Sequence, residues 1–303
     1  MLPTRGCTPA TPGVPKRVNT RARLDWSLRF PLRLMLKPVT WKLSLLYLLL
    51  FATAGCMPKN RTAKIPTSGV TPTLALPTTP LTNVPELLAK AIAARGGEKA
   101  LRKLSTVSYQ GTGKTAPGNV VSNMVFRNIV ALPDRLRDET DYENGTKFVQ
   151  AIQQGKGWMS INGVVRDIDQ INQRSIAESL HVNQVLTLLP LRDPRFKLEP
   201  LPEKRREGTM TVGFVVRCEN EREVTLCFDQ ETSLPLLCKS KVIDANLGSD
   251  HDQEIFFYRY EAVEGLQFPR RWMIYTDGQL SMELNYESIK FLEKVDDILF
   301  AKP

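Results

Sequence analysis

Few residues in this 303-residue chain have the types and spacing that chemistry needs. With only two histidines, His181 and His251, a Ser-His-Asp relay or a multi-histidine metal site has almost no material. His181 falls in a helical stretch and reads as a surface or boundary residue. His251 stands in Ser249-Asp250-His251-Asp252, which is oxygen-rich but lacks the spaced ligands and glycine of a calcium loop. It reads as a solvated turn between strands. The run Gly111-Thr112-Gly113-Lys114-Thr115 ends like a phosphate-binding loop. Ser108 occupies the position where that motif needs its first glycine, and Ala116-Pro117-Gly118 cannot open the helix that would hold a phosphate. The run therefore reads as a turn at a strand end. No G-x-S-x-G elbow occurs, and no carboxylate pair stands out for acid-base work. The expectation is a protein that is not an enzyme, with no cofactor and no metal.

Cysteine chemistry divides by position. Cys218, Cys227 and Cys238 fall on what read as three successive strands; if these form a meander, a Cys227–Cys238 cross-strand disulfide fits an oxidising compartment. Free cysteines packed as small hydrophobes are the equal alternative. Cys56 is different. From Met35 a basic MLKPVTWK leads into LSLLYLLLFATAGC, an apolar core followed by small residues, which is a signal-peptide pattern. Leu43 to Ala54 falls short of the ~20 residues that span a bilayer as a helix. Thr53-Ala54-Gly55-Cys56 resembles the bacterial lipobox, whose cysteine is acylated and becomes the new N-terminus. Ala54 and Gly55 match it, and Thr53 stands where leucine is usual. The expectation is a lipoprotein signal peptide over 35–55 and a lipid on Cys56, with ordinary cleavage as the alternative. Residues 1–34 precede this complete signal peptide, so Met35 reads as the start, or else 1–34 is an extended N-terminal region.

Charge follows the same division. The net charge is +9, but residues 1–56 hold nine Lys and Arg against one acid, Asp25. The remainder is near neutral and has no basic footprint for phosphates, so nucleic acid is not an expected partner.

The elements that must position any site begin after a tether over 56–82, dense in Pro and Thr and extended at ~3.1 Å per residue. The expected folded domain covers 83–303. Asn83 to Leu104 reads as a helix with Asn83 as N-cap, Pro85 in the first turn and Leu87, Leu88, Ala91 and Ile92 on one face; Gly96 and Gly97 stop or kink it. Period-two alternation then gives five strands, a helix from Ile171 to Leu189 ended by Pro190, and six more strands. The class is mainly β (α+β), with about eleven antiparallel strands. In the last three, one alternation aims Phe256, Tyr258 and Tyr260, then Trp272 and Ile274, then Met282, Leu284 and Tyr286 at a common face. Such side chains either close-pack or leave room for a ligand.

With these elements laid out, the chain resembles the LolA/LolB-like superfamily of lipoprotein carriers and receptors. The resemblance is carried by ARGGEKALRKLSTVSYQGTGK at 94–114, GKGWMSING at 155–163, LCFDQETSLPL at 226–236, YRYEAVEGLQFPRRW at 258–272 and VDDILFAKP at 295–303. It implies a curved, unclosed antiparallel half-barrel with helices plugging the concave face, and an apolar cavity for lipid acyl chains or lipoproteins lined by the eight residues just named. It also implies a monomer anchored to a membrane by its lipid, in the bacterial envelope. Met57, where an aspartate would retain the lipoprotein in the inner membrane, favours the outer membrane facing the periplasm. The alternative function is a closed-core half-barrel serving as a protein-interaction or envelope-sensor module.

Overall fold

Asn83 starts the fold as its residue type suggests. Its side-chain oxygen accepts from the Glu86 amide at 3.4 Å, capping α1 (Val84–Ala94), with Pro85 in the first turn. Gly96, at φ 108°, breaks the helix, and α2 (Gly97–Arg102) follows. The computed structural model describes residues 83–116, 121–206, 208–244 and 248–303. Segment 1–34, the signal peptide, Cys56 and the tether lie outside the described residues.

Six strands come next: β1 (Thr106–Thr115), β2 (Ser122–Ala131), β3 (Arg135–Tyr142), β4 (Lys147–Gln153), β5 (Lys156–Ile161) and β6 (Val164–Asp167). Then α3 (Gln170–Leu186) crosses to β7 (Lys197–Arg206) and β8 (Thr209–Arg217). They are followed by β9 (Val224–Asp229), β10 (Pro235–Ile243), β11 (Asp250–Val263), β12 (Leu266–Thr276) and β13 (Gln279–Phe291). All thirteen form one antiparallel sheet in the order 6-5-4-3-2-1-13-12-11-10-9-8-7. Two meanders therefore meet where β1 pairs with β13. The sheet is not closed, leaving β6 and β7 as edges, and it curves into a half-barrel with the helices on its inner face. Ile176, Leu180, Val185 and Leu186 of α3, and Leu87, Leu88, Ala91 and Ile92 of α1, join inner-face residues such as Val130, Ile152, Phe214 and Leu226 in one apolar core.

The outer face is crossed by the C-terminal segment. Val295 and Phe300 pack on Ala131, and the Trp158 indole donates to the Phe300 carbonyl at 2.9 Å. Arg135 pairs with Asp297 at 2.8 Å.

Four expectations need correction. The sheet has thirteen strands rather than about eleven; the two additions, β6 and β7, are its edges. Gly111 to Thr115 are the last five residues of β1 rather than a turn. Gly111 is a glycine for reasons of space: a Cβ there would meet the Asn285 carbonyl at 2.0 Å and the Phe126 ring at 2.8 Å. His181 is buried, its ring stacked on Phe196 at 6.4 Å, and burial lowers its pKa. Finally, Cys218, Cys227 and Cys238 are free. Cys227 lies opposite Leu237, and Cys238 opposite Leu226, so the two side chains leave opposite faces of the sheet and cannot bridge.

Candidate functional site

Register decides which side chains share the inner face. Ile255, Ile274 and Met282 form one row across β11–β13, and Phe257, Trp272 and Leu284 the next. Across β1, Leu284 faces Gly113 and Tyr286 faces Gly111. Five of the eight expected residues, Trp272, Ile274, Met282, Leu284 and Tyr286, thus come together on this face. All but Tyr286 are only half-buried.

Phe256 and Tyr258 do not join them. They pair with Met273 and Arg271 and stack on each other on the outer face at 6.5 Å. The single alternation expected along β11 fails at Arg259, whose φ of 56° breaks the period-two pattern. Beyond that break Tyr260 packs against the core. Phe257 therefore takes the inner position expected of its neighbours, and Tyr109, Phe126 and Phe268 are further inner rings that sequence reading missed. These four rings, with Trp272 and Tyr286, form a continuous aromatic cluster, neighbouring centroids lying 5.0 to 5.6 Å apart.

Between the cluster and the last turn of α3 lies a cavity of about 30 Å³, lined among others by Tyr109, Phe257, Tyr260, Trp272, Leu186 and Arg95. Arg95 follows from the helical repeat: it comes seven residues after Leu88 and three after Ile92, so it continues the apolar face of α1. It is 4% exposed. Its Nε donates to the Gln267 carbonyl at 2.8 Å, and its own carbonyl accepts from the Gln267 amide at 3.0 Å. Gly96 makes this approach possible, since a Cβ there would sit 2.0 Å from the Gly265 carbonyl. Burial lowers the guanidinium pKa and raises the Tyr109 and Tyr260 phenols. The Tyr260 hydroxyl donates to the Pro235 carbonyl at 2.6 Å.

The fold and its inner face now bear comparison with known proteins. The chain is similar in structure to LolA-superfamily proteins. One is a LolA superfamily protein from Nitrosomonas europaea, 12% identical, with 72% of this chain and 97% of that chain covered at a TM-score of 0.48. Another is a putative outer membrane lipoprotein-sorting protein domain from Vibrio parahaemolyticus, 13% identical, covering 71% and 94% at 0.45. A DUF1329 family protein from Desulfovibrio piger is 12% identical, covering 72% and 97% at 0.46. No family model matches the chain, and no curated protein matches its sequence.

Two further polar groups of the half-barrel could do chemistry. On the inner face, Asp138 of β3 accepts from Gln150 at 2.8 Å, and burial pushes its carboxyl up to about 6. At the hairpin ends, His251 Nδ1 lies 2.6 Å from the Asp277 carboxylate and Nε2 lies 3.1 Å from the Ser249 hydroxyl. This is the bonding order of a nucleophile relay, but Asp277 also accepts from the Asp252 amide at 2.9 Å. The group fastens the turn before β11 to the β12–β13 turn. Among the described residues no group of three His, Cys, Asp or Glu could hold a metal, and no helix is long and apolar enough to cross a membrane.

Proposed function

We propose that this chain is a lipid-anchored binding protein of the bacterial envelope, tethered through Cys56 at the outer membrane, which holds a hydrophobic chain between α3 and the inner face of β11–β13. The observation that carries the reading is a continuous apolar track. Half-covered Trp272, Leu284, Ile274 and Met282 lead from solvent to the aromatic cluster, and the cluster borders the cavity behind α3. No bond needs to be made or broken.

The cavity of about 30 Å³ is far below the ~300 Å³ at which ligand pockets begin, so this reading requires a ligand to displace α3. Each buried methylene contributes about 0.8 kcal/mol. A chain of about ten would contribute on the order of 8 kcal/mol, enough to offset association and a modest helix displacement. The small volume also favours a second reading, in which the core never opens and the half-barrel binds a protein partner on its outside. The test is native mass spectrometry of the protein purified from envelopes, with uptake of a fluorescent acyl probe. Co-purifying lipid, lost in Leu284→Asp, supports the proposal. A clean mass without probe uptake gives the function to the second reading.

A further inference from the structure

Arg95 is out of keeping with an interior that binds only hydrocarbon. The residue is 4% exposed, and its guanidinium, with five N–H donors, has among the described residues one acceptor, the Gln267 carbonyl at 2.8 Å. Among the described residues no carboxylate pairs with it, and the titratable groups that act on it are the phenols of Tyr260 and Tyr109. A buried cation without a counterion is costly, and replacing it with an apolar side chain is often neutral or stabilising. Fastening α1 to β12 does not require the charge, because the main-chain bond from Gln267 to the Arg95 carbonyl at 3.0 Å already does so. The charge instead borders a cavity of about 30 Å³ with the rings of Tyr109, Tyr260, Phe268 and Trp272 around it.

We infer that the occupant of this interior is a long-chain carboxylic acid of the fatty-acid class, its carboxylate on Arg95 and its chain laid along Trp272 and Leu284 toward solvent. The inference rests on the proposed binding of a hydrophobic chain and adds the chemistry of its polar end. A planar carboxylate matches the two-pronged donor geometry of arginine. Asp138, an acid on this face, pairs in register with Asn128 of β2, which pairs with Tyr109. Its ionised form repels an anion, so the acid end belongs at Arg95. An esterified acyl chain has no charge for Arg95 to meet.

The test compares decanoate, decanol and acetate as competitors of the acyl probe on the full chain in amphipol. Wild type, Arg95→Gln and Arg95→Lys share that background. We expect wild type to prefer decanoate over decanol by about tenfold or more, the scale of one charge-assisted pair. Arg95→Gln should lose the preference while keeping decanol affinity, and Arg95→Lys should keep part of it. If Arg95→Gln does not fold, partial preference in Arg95→Lys carries the test. Equal affinity of wild type for decanoate and decanol overturns the role of Arg95 but leaves the binding proposal standing. Acetate competing as well as decanoate marks a small-anion site and overturns the long-chain acid. Failure of both ten-carbon probes overturns the binding proposal itself.

Discussion

Two single residues set the interior. Gly96 combines a left-handed backbone with a carbonyl 2.0 Å from where a Cβ would stand. Gly96→Ala must both strain that backbone and push the α1–α2 corner off the Gly265 turn. The expected loss is about 3 kcal/mol, read as a lower urea midpoint. Asp138 acts through protons. Its carboxyl rises from 3.8 to about 6 in the folded protein because it is buried, so the folded state holds its proton more tightly than the unfolded state does. Stability from this group is therefore greatest below pH ~4 and falls as pH rises to ~6. Asp138→Asn keeps an acceptor for Gln150 and removes the charge. It should raise stability at pH 7 by up to about 2 kcal/mol and flatten the slope between pH 4 and 6, as urea titrations at several pH values would show.

At the scale of elements, α3 is the part that the proposed ligand would have to displace. Glu178 is its anchor: one carboxylate oxygen accepts from Arg222 at 2.6 Å, the other from the Ile243 amide at 3.1 Å. Arg222 in turn grips Asp250 at 2.6 and 2.9 Å. Glu178→Ala leaves Arg222 half-paired and the Ile243 amide without its carboxylate, a loss of about 3 kcal/mol. Hydrogen exchange should localise it, with faster exchange over 170–186 and unchanged exchange where β1 pairs with β13. Faster uptake of acyl probe in the same variant would tie that anchor to access.

Much of this was legible in the sequence, for identifiable reasons. Asn83, Pro85 and the Gly96–Gly97 break mark helix ends with local chemistry, so α1 appears where its residues place it. The five recognised segments turn out to touch: ARGG meets the VEGLQ turn through Arg95 and Gln267, GKGWM meets ILFAKP through Trp158 and Phe300, and LPL meets YRY through Pro235 and Tyr260. What was not legible is long-range or irregular. The break at Arg259 carries no residue signal, and it put Phe256 and Tyr258 on the wrong side of β11. Arg95 was visible only as a repeat position on an apolar helix face, a pattern that names the position and not its lack of a counterion.

The whole molecule must carry an open sheet without polymerising. A closed barrel has no edges, but this one ends at β6 and β7, and each is blunted differently. Strand β6 is four residues, VVRD, too short to template another strand. Strand β7 is ten residues, KLEPLPEKRR, long enough to pair but carrying Pro200 and Pro202. As β7 bonds only to β8, prolines whose missing N–H would point to the free side cost nothing in the ladder and remove donors a second copy would need. These features also hid the two strands from sequence reading, since charge and proline erase the alternation by which strands are recognised. The protein is therefore expected to be a monomer, and its guard can be removed. Pro200→Val with Pro202→Val restores two donors to the β7 edge. Sedimentation of the double variant should show a concentration-dependent dimer where the wild type shows one species. If the variant stays monomeric, the charges of Lys197, Glu203, Lys204 and Arg205 guard the edge instead, and adding Lys204→Val should release it.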